Sequence, residues 1–456
     1  MAATPQVLPE NSLKEATMEV RDEAIKHLQE LIRIKTVNPP GNETPAAEYV
    51  AETLSREGIE VRVIESAPGR GNVIARLRGR GEAGPLLLLS HLDVVPVEEA
   101  HWERDPFGGE LVDGYIWGRG AVDTKQLTVM EMMCLIQAKR EGLNLKRDII
   151  LAATADEEMG GVMGVKWLLE NYPELLASEY AINEGGGYGI EFAGHRYYVC
   201  DTAEKSPCWI RVRAKGKPGH ASTPRDDNAV LKLAEALVRL GKARLPMHRT
   251  ATVERFIKML AQDQKFPVSW LFPLILNPLF EPFILKRLPN KERLAPMFRA
   301  LLHNTATPTV LRAGQKTNVI PSEAEAEIDC RVLPGQTKET LLAEIRPYLG
   351  PDVEIEVLLE PEPFETHYET DLFRIFQEVI AEEDPGAKVF PYMLPATTDS
   401  RFLAKRGVKV YGFSPMKYDP KCNFLELAHA HNERISVESL LFGVRVLYKV
   451  VKRFCA

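Results

Sequence analysis

Apolar residues recur near helical spacing from Ser12 to about Ile34, and again from Pro45 to Arg56 after the Asn38-Pro39-Pro40-Gly41 break, which predicts two helices. The period then shortens. Ile59 to Ile64 and Asn72 to Leu77 alternate as strands do, while Pro85-Leu86-Leu87-Leu88-Leu89 is a continuous apolar run suited to a strand covered on both faces. A helical stretch from about Thr124 to Glu141 precedes a second such run, Asp148 to Thr154. This alternation predicts an α/β layered domain built on a mixed, mainly parallel sheet.

The pattern restarts between about Ser206 and Leu359. A strand at Cys208 to Ala214 and a helix from Asn228 to Leu240 come first, and two strands, Ala324 to Val332 and Val353 to Leu359, flank a helix from Thr337 to Tyr348. Helical and strand patterns resume from Asp371. The expected organisation is therefore a catalytic-type domain in two parts, 1–205 and 360–456, with an inserted α+β domain at 206–359. Within the insert, Pro267 to Leu285 is very apolar, yet Pro267, Pro273, Pro278, Pro282 and Glu281 interrupt it. Repeated proline argues against a spanning helix. A buried or lid-packing segment is expected; an acyl-chain-binding or membrane-surface patch is the alternative.

Chemistry in open α/β sheets collects beyond the carboxyl ends of the strands. The leucine run ends at Ser90-His91-Leu92-Asp93, the Asp148 to Thr154 run at Asp156-Glu157-Glu158, and a short strand Tyr180-Ala181-Ile182 at Asn183-Glu184. Five acidic groups and one imidazole thus come to neighbouring strand ends. Residues two apart in an extended segment share a side, so Asp93 can reach His91 and fix its tautomer. Gly118-Arg119-Gly120-Ala121-Val122-Asp123 permits a tight turn that ends on Asp123 just before a helix. That aspartate could simply favour a helix start, and Asp156-Glu157-Glu158 could be a surface turn. Adjacent carboxylates become informative when a cation is near to relieve their repulsion.

Composition narrows the classes. A net charge of -7, with Lys and Arg dispersed, supplies no footprint for a nucleic-acid backbone. Six cysteines without a C-x-x-C pair indicate neither a zinc ribbon nor a disulfide framework, and are read as mostly buried thiols. The N-terminus, through Met1, Pro5, Pro9 and Glu10, lacks the basic and apolar regions of a signal peptide. No transmembrane segment and a cytoplasmic location are expected.

With these blocks in hand, a resemblance is evident. Ser90 to Pro96, Trp102 to Gly109, Gly118 to Lys125 and Ala155 to Glu158 resemble the zinc metallopeptidases that include aminoacylase, carnosinase, glutamate carboxypeptidase and succinyl-diaminopimelate desuccinylase. Lys217-Pro218-Gly219-His220-Ala221-Ser222, Thr317 to Pro321 and Asp329 to Gly335 are similar to that family's lid motifs, and Ala428 to Glu433 to its last catalytic-domain motif. The resemblance implies two zinc ions, for which Co2+ or Mn2+ could substitute. Asp123 would bridge them, with His91 and Glu184 on one and Glu158 and His429 on the other. Asn183 stands where relatives often carry Asp. His431 is expected behind the ligand His429.

By the same resemblance Glu157 would be the general base acting on a metal-bridging water, supported by Asp93. His220 would donate to the tetrahedral oxyanion, and Arg331 with Asn318 would hold a substrate carboxylate; motif-free, Arg331 reads as a strand-face ion pair. Thr398-Asp399-Ser400-Arg401 and Gly412 to Met416 look like the aminoacylase pattern, and the apolar insertion like the N-fatty-acyl amino acid hydrolases. The implied activity is cleavage of an N-acyl-L-amino acid to a carboxylate and a free amino acid. A dipeptidase or carboxypeptidase with the same metal centre is the alternative, and a non-catalytic binding protein a remote one. The lid could also pair two copies as a homodimer.

Overall fold

The computed structural model describes residues 10–288, 291–422 and 424–456. Met1, Pro5 and Pro9, read above for a signal peptide, lie outside the described residues. The chain divides into two compact units. One runs to Asp201 and resumes over His367–Phe390 and Thr398–Ala456; the other comprises Thr202–Thr366 and Pro391–Thr397. The strands His195–Glu204 and Lys388–Leu394 each run through a boundary between units. A sequence pattern marks breaks between elements, not a division inside one.

The first unit is α/β. Ile149–Thr154, Leu86–His91, Tyr180–Asn183 and Lys409–Gly412 lie side by side and parallel at the centre of a mixed sheet. Gly71–Leu77 and Glu60–Glu65 extend it antiparallel at one margin. Leu86–His91 and Ile149–Thr154 are buried at every position, which is why both read as unbroken apolar runs. The helix Lys125–Arg140 is buried almost all round, packed against both strands and against the helices Glu10–Arg33 and Val437–Cys455. Lys125 crosses to the end of Glu10–Arg33 and donates to the carbonyls of Leu31 and Ile34, each at 2.8 Å. A lysine among the last carbonyls of a helix satisfies groups that have no partner within it.

In the second unit an antiparallel sheet runs in the order Thr305–Ala313, Glu323–Val332, Ser206–Lys215, Val353–Val357. Burial alternates along Ser206–Lys215 and Glu323–Val332, as expected of strands with one covered face. The inward residues Ile210, Val212, Ala326 and Ile328 form one core with Leu233, Leu240, Leu341 and Ile345 of the helices Ala229–Gly241 and Lys338–Leu349. Asn228 and Thr337 cap those helices through their side chains. A two-stranded ribbon pairs Gly219 with Ile320 and His220 with Val319.

The apolar stretch divides. Phe272, Ile275, Leu276 and Leu285 are buried, with Phe272 edge-on to Phe298 at 5.5 Å. Phe266, Val268, Trp270, Leu279, Phe280 and Phe283 are exposed. The buried or lid-packing segment expected from the sequence is thus buried at some of its side chains and exposed at the rest. Its prolines break it into turns of a few residues, Val268–Leu271, Phe272–Leu276 and Glu281–Leu285, and such short turns cover only one side. No helix among the described residues is long and apolar enough to cross a membrane. The cysteines are all unpaired, and only Cys422 is less than buried.

Candidate metal centre

His91 ends the central strand Leu86–His91, Glu184 directly follows its neighbour Tyr180–Asn183, and Glu158 lies in the turn Glu157–Met159 beyond Ile149–Thr154. Parallel pairing aligns these three strand ends. Asp123 arrives from a glycine loop. At Gly120, φ is +90°, and a Cβ there would stand 2.9 Å from Lys125 Cδ and 3.0 Å from Val94 Cγ1. Only glycine fits such a close left-handed turn.

The C-terminal segment docks beside that loop. Arg434–Ser436 pairs with Tyr115–Trp117, and the Gly118 amide donates to the Glu433 carbonyl at 2.9 Å. The Glu433 carboxylate accepts from Arg119 at 2.7 Å and from the amides of Gly120 and Val122 at 3.0 and 2.8 Å. One buried carboxylate thus gathers the Asp123 loop, while its own segment carries His429.

The result is two groups whose ligand atoms lie within 4.8 Å of one another: His91, Asp123 and Glu184; and Asp123, Glu158 and His429. Asp123 belongs to both. Its Oδ1 stands 3.3 Å from His91 Nε2 and its Oδ2 3.1 Å from His429 Nε2. Glu184 Oε1 is 3.5 Å from His91 Nε2, and Glu158 Oε2 is 3.2 Å from His429 Nε2. Asp156, His429 and Asn432 adopt φ of 75°, 61° and 61°, a conformation that costs energy outside glycine and collects at functional sites.

The donor set fits metal ions. His91 Nδ1 lies 2.9 Å from the Asp93 carbonyl, which can only accept, so in the neutral ring Nε2 is left as a bare lone pair. That atom is buried without a hydrogen-bond donor and faces two carboxylate oxygens. Acceptors facing acceptors in a buried site call for a cation. Burial would depress His91, but the carboxylates of Glu184, Asp123 and Asp93 hold it well above its ordinary range. Contacts with Asp123 and Glu158 push His429 up to about 10. Burial raises Glu184 and Glu158. The cluster therefore gathers positive charge between its carboxylates, and imidazole with carboxylate is a zinc-type donor set.

Asp93 meets the His91 ring: its carbonyl takes the ring proton, and its carboxylate stands 3.5 Å from the same nitrogen. The carboxylate also accepts from the amides of Glu157 and Glu158, each at 3.1 Å, and from Asn38 at 2.9 Å. Burial, then the Glu184 charge, push the Glu157 carboxyl well above the usual carboxylate range. His431 pairs with Glu98 at 2.9 Å and stacks on His101, so it turns to a surface partner rather than backing His429. Asn183 donates to Thr398 and Ser400 and supports the strand end.

The ribbon of the second unit carries His220 on one strand, with Asn318 in the turn just before the other, Val319–Ile320, and both are exposed. The Ser222 amide donates to His220 Nδ1 at 3.2 Å, which leaves Nε2 as the donor. Arg331 is engaged by its own strand: Nε and Nη2 meet the two Asp329 oxygens at 2.8 and 2.9 Å. This is the strand-face ion pair, and a substrate carboxylate would have to compete with it.

Sequence reasoning assigned no role to Glu433, Asn38 or Asp399. Asn38 read as part of a turn, and Glu433 as the end of a motif. Asp399 lies in the Thr398-Asp399-Ser400-Arg401 block; both of its carboxylate oxygens are buried without a hydrogen-bond partner, and burial pushes its carboxyl up to about 7.

The model of the peptidase family M20/M25/M40 matches residues 87–453. The chain belongs to this family. Among curated M20 relatives and similar proteins, an N-fatty-acyl-amino acid synthase/hydrolase PM20D1 of Xenopus tropicalis is 26% identical, over 97% of this chain and 88% of that protein. Aminoacylase-1 of Homo sapiens is 28% identical over 93% of each. Among solved structures, the M20 family metallo-carboxypeptidase Sso-CP2 from Sulfolobus solfataricus matches with a TM-score of 0.70 at 18% identity, over 94% of this chain and 98% of that one; that likeness concerns the fold. As an M20 protein the chain is a metal-dependent hydrolase.

Proposed function

We infer that the chain is a dinuclear zinc amidohydrolase that cleaves N-acyl-L-amino acids to a carboxylate and a free amino acid. The observation that carries this reading is Asp123, whose two oxygens face separate imidazoles, each closing its own ligand group. His91, Asp123 and Glu184 would hold one ion, and Asp123, Glu158 and His429 the other. When bound, zinc supplies Lewis acidity toward the scissile carbonyl and lowers the pKa of water.

The chain's own residues do the rest. Asp93, bonded to the amides of Glu157 and Glu158, holds the base and one ligand in a fixed relation. Glu157 takes a proton from the attacking water at its carboxylate. Water oxygen bonds to the amide carbon, the C–N bond breaks, and Glu157 returns the proton to the leaving nitrogen. A carboxyl raised by burial suits a group that must hold and release a proton. In this reading His220 Nε2 donates to the oxyanion. Arg331, exchanging Asp329 for substrate, and Asn318 hold the substrate carboxylate.

The names of the Xenopus and human relatives support N-acyl amino acids as the substrate class. The second unit serves here as lid and homodimerisation unit, the latter checked by sedimentation. A cytoplasmic location agrees with six unpaired cysteines; cell fractionation tests it. The deciding experiment combines metal analysis with amino-acid release from acetyl-, long-chain-acyl- and dipeptide substrates. Two zinc ions per chain with acyl substrates preferred is the expected result. Dipeptides preferred would move the chain to the peptidase reading, and no activity with any metal would overturn the mechanism.

A further inference from the structure

The second unit carries an apolar surface to which the proposed mechanism gives no role. Phe266 is 83% exposed, Trp270 68%, Leu279 85% and Phe283 56%, with Phe280 beside them at 46%. These large apolar side chains occur within one short stretch, and their buried neighbours Phe272, Ile275, Leu276 and Leu285 anchor it to the unit. The turns Val268–Leu271 and Glu281–Leu285 both pack on Phe272–Leu276, and exposed apolar side chains gathered in this way mark an interaction site.

Its setting is cationic. From Gln264 to Arg299 the described side chains include Lys265, Lys286, Arg287 and Arg299 against Glu281 and Glu292, in a chain whose net charge is -7. The Glu281 carboxylate is taken by His303 at 3.1 Å. Beside the patch lies a cavity of about 450 Å³, open to solvent. Pro282 and Leu285, from the turn that displays Phe283, line it, and so do Lys242, Arg244 and Arg299. Among the described residues no side-chain hydrogen bond or ion pair engages these three cations. Arg287 lies over the Phe283 ring at 3.5 Å, so charge and apolar surface meet at the rim.

We propose that this face docks the enzyme on an anionic phospholipid surface, with Phe266, Trp270, Leu279 and Phe283 entering the headgroup region and Lys242, Arg244 and Arg299 taking anionic headgroups. Aromatic and leucine side chains backed by Lys and Arg are the composition of interfacial anchors. The positive rim on a negative chain points to an anionic partner, and attraction adds with each basic residue near such a surface. A second copy of this chain would bring the same positive charge to the rim, which disfavours self-pairing there. The docking face does not depend on which amide is cleaved.

Full-length protein is mixed with phosphatidylcholine vesicles, with and without phosphatidylserine, and followed by flotation and tryptophan emission. Binding to the phosphatidylserine vesicles, weakened by salt and accompanied by a blue shift of tryptophan emission that Trp270→Phe removes, is expected. Arg244→Glu with Arg299→Glu should lower partitioning by about tenfold or more. Trp270→Glu with Leu279→Glu should abolish it while leaving the rate on a soluble acetyl-amino acid unchanged. No binding overturns the proposal. So does equal binding by either double variant, equal binding to uncharged vesicles, or a dimer that Trp270→Glu with Leu279→Glu dissociates in a protein that ignores vesicles.

Discussion

At the scale of single residues, Asp93 and Glu157 divide their work by what each carboxylate touches. Asp93 is buried and committed to two main-chain amides and Asn38, so it orients rather than reacts. Glu157 is held through its own amide, which leaves its carboxylate for chemistry. Replacing Glu157 by Gln keeps shape and removes the proton acceptor. Turnover should fall by about 10²–10⁴-fold, while metal content by elemental analysis stays at the wild-type value. A metal-loaded variant with normal kcat would remove the base from the mechanism. Arg331 shows the other side of residue-scale reading: the residue type was legible, but its bidentate pairing with Asp329 follows from side-chain conformation on one strand face.

At the scale of elements, buried charges hold loops and helix ends in place. Glu433 ties the Asp123 loop to the C-terminal segment through Arg119 and several amides. Removing one partner of a buried pair leaves the other uncompensated, so Glu433→Ala should cost about 3–5 kcal/mol in urea unfolding; a loss below about 1 kcal/mol, the size of an exposed pair, would mean the pair is dispensable. Lys205 works on a helix end. Its Nζ donates to the carbonyls of Ala300 and His303 at 3.0 and 2.8 Å, at the close of Lys291–Leu302, and burial lowers its pKa from 10.5 to about 7. Between those values the unfolded chain binds a proton that the folded chain has released, so this group makes stability rise with pH across that window. Below about 7 its penalty is complete and flat. Lys205→Met should therefore flatten the pH dependence of the melting temperature between neutral pH and pH 10.5. Parallel profiles for the two proteins would show that Lys205 keeps its charge and an ordinary pKa.

At the scale of the whole molecule, every proposed metal ligand lies in the first unit. Binding stabilises only the body that holds the ligand. Chelation should therefore lower the calorimetric transition of the first unit, by about 4 kcal/mol where free metal had stood a thousandfold above its Kd, and leave that of the second unit in place. An equal shift of both transitions, or of neither, would contradict this division. The lipid-docking face lies wholly on the second unit, so its vesicle binding should survive the same chelation.

What was legible in the sequence was local or periodic. The runs Leu86–His91 and Ile149–Thr154 announce themselves because a strand buried on both faces has no polar positions. The acidic groups and His91 at strand ends follow from that, since a strand's end is visible in its own composition. The turn before Asp123 was legible through its glycines, and two helices were read as beginning at Asn228 and Thr337, the residues that cap them in the structure. Tertiary structure alone decided the rest. That Asp123 offers one oxygen to each imidazole, that Glu433 gathers its loop, and that His431 leaves the centre for Glu98 all depend on Arg434–Ser436 pairing with Tyr115–Trp117. Likewise the apolar stretch near Trp270 has one composition, but which of its side chains are buried depended on what packed beneath it. Periodicity reports which face of an element prefers to be covered; only long-range packing determines what covers it and what is left exposed.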